Sequence, residues 1–310
     1  MAPNSNNDHS GGQVAPRRRL APTWCLASTL CIVGCLWLGS QTQLQAQGTA
    51  TQEAPAPACA AQGDNPETAP TVSTLETIRR RGTLRYTSIP AQMSPFMALD
   101  LDHMKAFGKK RGKGVDYDLI VKLADRLGVR LELVLPNEPA LGTLFACLEQ
   151  RRADIAVGGL SILPDRQRRF DFSTPYYQTD VAVIGRKDSP WKKPAETTGL
   201  RQAMIPGASS AGYWTELTRP EGEILHTEFT IGVISLVADG EADIGVEDWI
   251  LIKHHVDRLP DLEILFTVPV DDHYGIVFQK DSELVPLMDE ILAEAEQSGE
   301  LQRILDRHLP

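Results

Sequence analysis

Cysteine is scarce in this chain and badly placed for cross-linking. Of five in 310 residues, Cys25, Cys31 and Cys35 fall in one apolar stretch near the start, which leaves Cys59 in a loose Ala- and Pro-rich segment and Cys147 on an expected helix. That is no disulfide framework, and with no particular His or Asn partner indicated, Cys147 reads as a small helix residue rather than a nucleophile. Positive charge is also in deficit: 31 Lys and Arg stand against 41 Asp and Glu, a formal net charge of -10. Such acidity argues against a nucleic-acid partner. Metal and cofactor patterns are wanting too. His254 and His255 are adjacent on an expected helix and point about 100° apart, so they cannot readily share an ion. Gly207-Ala208-Ser209-Ser210-Ala211-Gly212 is one residue too long for a nucleophile elbow. No cofactor and no metal are expected.

The amino terminus has what an export signal needs. Arg17-Arg18-Arg19 precede an apolar run from Leu20 to Leu38, and a polar stretch from Gln41 to Gln47 offers a cleavage position after Ala46. The run approaches the ~18 apolar residues of a membrane anchor, but Pro22, Thr23, Ser28 and Thr29 dilute it. Ile32-Val33-Gly34-Cys35 also fits a lipobox, so membrane attachment through a lipid at Cys35 is an open alternative to free release. Residues 1–46 are assigned to a signal peptide. Removing them takes away three arginines and Asp8, which moves the formal charge to -12. From 47 to 73 the chain is Ala, Pro, Thr, Gln and Gly with few large apolar residues, and is expected to be a disordered linker.

Beyond Leu75 the hydrophobic pattern alternates between strands and helices, predicting an α/β protein with predominantly parallel sheets. One five-residue phrase occurs twice, 89 residues apart: Ala153-Asp154-Ile155-Ala156-Val157 and Ala242-Asp243-Ile244-Gly245-Val246. Each copy follows a helix-like stretch and reads as a short buried strand, so two similar lobes are expected. The first copy leads through Gly158-Gly159-Leu160-Ser161 to Arg166, the second directly into Glu247-Asp248. Ligands of open α/β sheets sit beyond the carboxyl ends of strands. A guanidinium in one lobe can grip a carboxylate with two parallel hydrogen bonds, and a carboxylate in the other can accept from an ammonium. The implied ligand is a small zwitterion, like an amino acid. Arg168 and Arg169 read as solvated surface, as do Lys105, Lys109, Lys110, Arg111 and Lys113, and Asp116 or Asp118 as a helix N-cap.

Gly159-Leu160-Ser161-Ile162-Leu163-Pro164-Asp165-Arg166, followed by Phe170-Asp171-Phe172-Ser173-Thr174-Pro175-Tyr176-Tyr177, resembles the signature of periplasmic solute-binding proteins of the polar amino acid type (family 3). Gly114 to Leu119 and Tyr274-Gly275-Ile276 resemble two further motifs of that family. The resemblance covers about residues 75–310. It implies a two-lobed clamshell of the type II periplasmic binding protein class, with lobe 1 at 74–182 and 272–310 and lobe 2 at 183–271. It implies ligand contact at Gly159, Ser161, Arg166 and Asp248, and Ser209 and Ser210 can present amides at a helix N-terminus, a good carboxylate site. The partners implied are an amino acid-like small molecule and an ABC transporter permease, and the location is the periplasm. Ile89 or Pro90 stands where the family often has an acid, and Leu141 near a usual aromatic position. Two rivals share the scaffold: a periplasmic enzyme like cyclohexadienyl dehydratase, with Glu247 or Asp248 as general acid, and a sensory domain. The second arises because Gly114 to Leu133 and the carboxyl-terminal helices also resemble the amino-terminal domain of peptidoglycan lytic transglycosylase F, whose catalytic domain would have to follow Pro310.

Overall fold

A computed structural model of the chain describes Cys59, residues 74–89, 94–100, Asp102 and 111–310. The expected signal peptide, nearly all of the linker, and Lys105, Lys109 and Lys110 lie outside the described residues. No helix among the described residues is long and apolar enough to cross a membrane.

Each lobe is built on a five-stranded sheet. The first has the order β4-β1-β5-β12-β6, from β1 (Thr83–Thr87), β4 (Arg130–Val134), β5 (Ile155–Ala156), β6 (Phe170–Phe172) and β12 (Val277–Gln279). The second has the order β11-β7-β10-β8-β9, from β7 (Tyr177–Arg186), β8 (Gln202–Met204), β9 (Ile224–His226), β10 (Ile244–Asp248) and β11 (Leu262–Tyr274). A two-stranded ribbon of β2 (Ala98–Leu99) and β3 (Gly112–Lys113) lies apart. The sheets are mixed rather than predominantly parallel. β1 runs parallel to β4 and β5, but β12 is antiparallel to β5 and β6, and β7 is antiparallel to β10 and β11. The reason is the path of the chain. It enters the second sheet along β7 and leaves along β11, so strands on the outward and return legs meet their neighbours reversed.

The repeated phrase lands on the central strand of each sheet, β5 in one and β10 in the other. Its aspartate does the same job twice. Asp154 accepts from the backbone of Arg85 at 2.7 Å and from the Arg81 side chain, and Asp243 accepts from the backbone and side chain of Arg201 at 3.0 and 2.7 Å. Each thereby ties the start of a central strand to the strand beside it. Val181-Ala182-Val183-Ile184 of β7 is buried throughout because helices cover both faces of the second sheet.

In the first lobe, α2 (Val115–Leu127) turns Leu119, Ile120, Leu123, Ala124 and Leu127 inward and stops at Gly128, whose φ of 71° is the left-handed cap a glycine adopts freely. Against it pack the last two helices, α8 (Leu284–Gln297) and α9 (Glu300–His308), through Met288, Ile291 and Ile304. The N-cap of α2 is Gly114, not Asp116 or Asp118. Asp118 pairs outward with Arg307 and His308 at 2.9 and 2.8 Å, and Asp116 turns away from its own helix towards the cleft.

The cysteines require a second correction. Cys59 and Cys147 are disulfide-bonded, with Cα atoms 5.5 Å apart, and both are buried. Cys147 lies on α3 (Leu141–Glu149), while Cys59 makes a backbone bridge to Pro136. One residue of the linker is thus stapled to the first lobe. Pairing across 88 positions leaves no local pattern in the sequence.

Candidate functional site

Gly159, Ser161, Arg166, Ser209 and Asp248 line one cavity of about 40 Å³ between the lobes, room for a few water molecules. Ser210 sits immediately behind it, donating its hydroxyl to Glu247 Oε1 at 3.2 Å. Ile89, Leu141 and Leu251 give the cavity an apolar wall. Leu141 is one of the positions at which the chain departs from the family pattern, and Ile89 is one of the two candidates for another.

The Gly158-Gly159 turn follows β5, with φ of 139° and 72°. The φ of Gly159 favours a glycine, and a Cβ there would stand 3.1 Å from the rings of Phe96 and Tyr274, which would have to give by a few tenths of an ångström. Asp116 holds the turn from behind, accepting from Gly158 N at 2.7 Å, Gly159 N at 3.0 Å and the Tyr176 hydroxyl. Burial pushes the Asp116 carboxyl up to about 6, against the pull of those three donors. The Gly159 amide is therefore spent inside the protein.

Arg166 lies on α4 (Pro164–Gln167), with its guanidinium 5.0 Å from the centre of the Phe145 ring. Nη1 donates to Ser161 O and Nη2 to Gly207 O, each at 2.9 Å, so this side chain joins the two lobes. Burial lowers its pKa, opposed by Asp248 and Asp272. Arg168 and Arg169 are exposed and pair with Asp165 and Glu149. A second link between the lobes runs from Ser161 Oγ to Ser209 Oγ at 2.7 Å, at the start of α5 (Ser209–Thr218).

Asp248 ends β10 and occupies the N-cap position of α7 (Trp249–Val256), yet its side chain makes no capping bond. It accepts instead from the Tyr274 hydroxyl. Glu247 accepts from Asp248 N at 2.9 Å and is almost wholly buried. A third acid, Asp272 on β11, accepts from Ser161 Oγ at 3.1 Å. All three carboxyls are raised in pKa, by burial first; for Glu247 the charge of Asp248 comes next, and for Asp248 that of Asp272. Sequence reasoning missed Asp272 and Tyr274 as parts of the site. Asp272 stands at the expected boundary between the lobes, where two consecutive acids, Asp271 and Asp272, were the available signal, and Tyr274 opens the Tyr274-Gly275-Ile276 motif. No group of His, Cys, Asp or Glu among the described residues is arranged to hold a metal ion.

Residues 100–310 match bacterial extracellular solute-binding proteins, family 3. A membrane-bound lytic murein transglycosylase F from Photobacterium profundum is 26% identical over 81% of this chain and 47% of its own, so the chain spans about half the length of that relative. The ABC transporter arginine-binding protein 1 of Escherichia coli is 26% identical over 64% of this chain and 82% of its own. The fold is that of an amino acid ABC transporter substrate-binding protein from Streptococcus pneumoniae, bound to L-arginine, at a TM-score of 0.67 and 24% identity, covering 75% of this chain and 97% of the other.

Proposed function

The chain belongs to the bacterial extracellular solute-binding proteins, family 3, and from that premise we propose that it captures an amino acid or similar small zwitterion between its lobes and presents it to an ABC importer. The observation that carries this reading is the placement of Arg166 and Asp248. They come from different lobes, follow the two copies of one sequence phrase, and line one cavity. The protein acts by closing and is not an enzyme. It works outside the cytoplasm, and the Cys59–Cys147 disulfide suits an oxidising compartment of that kind. The lobe boundaries proposed are 74–182 with 272–310, and 183–271.

The energetics are adequate. Shifting a clamshell from about 1:99 to 99:1 closed requires roughly 5.5 kcal/mol of preference for the closed form. Charge-assisted hydrogen bonds at Arg166 and Asp248, about 1.5 to 3 kcal/mol each, supply that scale of bias. The ligand enters by separating Ser161 from Ser209 and Arg166 from Gly207, then replaces those contacts with its own. Mass spectrometry of co-purifying small molecules, followed by a calorimetric screen of amino acids, identifies the ligand. Small-angle scattering with that ligand should show compaction, and scattering unchanged at saturation would refute closure.

A further inference from the structure

A second cavity, of about 450 Å³, lies where the chain crosses between the lobes. It is lined by Tyr177, Gln178, Thr179 and Asp180 of β7, Thr267 of β11 and Trp249 at the start of α7, and shares no lining residue with the cleft. Its size falls in the range of about 300 to 1,000 Å³ usual for small-molecule pockets. Gln178 and Thr267 are exposed, Thr179 is buried, and Tyr177, Asp180 and Trp249 are half-buried. The two crossing strands part company here. Val268 pairs with Val181 and Asp272 with Thr179, so Pro269, Val270 and Asp271 of β11 stand against Asp180 alone, a bulge that bends the strand. Asp180 Oδ1 steadies the bulge by accepting from Val270 N at 3.3 Å, which leaves Oδ2 for a guest.

The lining selects for charge. One carboxylate faces the cavity, and no Lys, Arg or His lines it. Two aromatic rings beside a carboxylate suit a cation, which the rings attract through their faces and the acid pairs directly. The same rings connect the cavity to the cleft. Tyr177 has its ring 5.8 Å from that of Tyr274, whose hydroxyl donates to Asp248. Trp249 follows Asp248 in the chain and packs against the hydrophobic cores of both lobes. A guest in this cavity therefore touches both crossing strands and the neighbours of a cleft residue.

We propose that the hinge carries a second small-molecule site, for an ammonium ion with an apolar body held by Asp180, Tyr177 and Trp249, and that its occupant favours closure. The cavity is formed while Ser161 and Arg166 already bond across to the second lobe, so a guest that fits it binds this arrangement better than a splayed one. The effect on closure rests on the clamshell reading. The site itself does not.

Choline is the probe, with neohexanol, its neutral carbon isostere, beside it in titration calorimetry on the full chain. Choline should bind saturably, and neohexanol at least about tenfold more weakly, because it keeps the shape and loses the charge. Asp180→Asn keeps an acceptor for Val270 N and should still weaken choline by at least about tenfold. Choline should change the tryptophan fluorescence, and Trp249→Phe should abolish that change. Small-angle scattering with choline alone should show compaction. Equal binding of neohexanol and choline, or full affinity in Asp180→Asn, would overturn the site. So would choline binding lost in Asp248→Asn and kept in Asp180→Asn, which would put the guest in the cleft. Saturable binding with unchanged scattering would overturn the effect on closure. No saturable binding of choline overturns the inference outright, and leaves the amino acid reading of the cleft to its own screen.

Discussion

Breaking the Cys59–Cys147 bond should cost this protein a large share of its stability. The cross-link closes a loop with a sequence separation of 88. For a loop of that length the chain-entropy relation gives about 15 cal/mol/K removed from the unfolded ensemble, or about 4.6 kcal/mol at 25 °C. Measured losses on removing native disulfides run from about 2 to 5 kcal/mol, so a drop of that size in unfolding free energy is expected. Both cysteines are buried, at 1% and 0% exposure, which makes alanine the better replacement: it leaves no hydroxyl without a partner. Urea unfolding of Cys59→Ala, Cys147→Ala and the double variant should give three similar midpoints, each lower than wild type by on the order of 1 M. The equality is the diagnostic. A cross-link is lost once whichever end is removed, whereas packing losses at two sites would add. Losses that add, or a wild-type midpoint unmoved by reductant, would refute the reasoning. Cys147 shares α3 with Leu141 at the cavity wall and Phe145 beneath Arg166, so the same staple steadies one side of the cleft.

Other outcomes follow from the site. Asp116→Ala should destabilise the first lobe by about 2 to 4 kcal/mol, because Gly158 N, Gly159 N and the Tyr176 hydroxyl all lose their acceptor, and a thermal melt reads it. Arg166→Ala should weaken binding of an amino acid ligand found by screening by about 2 to 5 kcal/mol in calorimetry; Arg166→Lys should rescue little, since an ammonium cannot span two acceptors, as the planar fork spans the Ser161 and Gly207 carbonyls. Arg168→Ala should bind normally, its side chain being 70% exposed and paired only with Asp165. The ligand-free protein should lose stability as pH rises from about 4, the ordinary carboxylate value, towards about 8. The carboxyls of Asp116, Glu247, Asp248 and Asp272 are raised in the folded state, so there the unfolded chain binds fewer protons than the native one and stability falls with pH. Glu247→Gln should flatten that fall in urea titrations across the range, and a slope unchanged by this variant would count against the burial of a charged Glu247.

The sequence by itself determined the α/β alternation, the two lobes and the ends of two strands where a ligand would sit. Those features are written in local order: apolar periodicity sets each helix and strand, and a phrase repeated 89 residues apart marks the centre of each sheet. It also supplied Gly159, Ser161, Arg166, Ser209 and Asp248, which the fold gathers around one cavity. Only the tertiary structure decided what those groups do with their hydrogen bonds. Asp116 looked like the cap of its own helix and instead serves a turn 42 residues away, while Asp272 reaches Ser161 across a separation of 111. Cys59 and Cys147 looked unrelated and are joined. The strands returning from the second lobe run antiparallel to their neighbours, although the pattern of strands and helices along the chain is that of a parallel sheet. The physical reason is common to all of these. Periodicity and capping report interactions within a few residues, whereas a carboxylate, a thiol or a sheet edge is satisfied by whatever the folded chain brings to it.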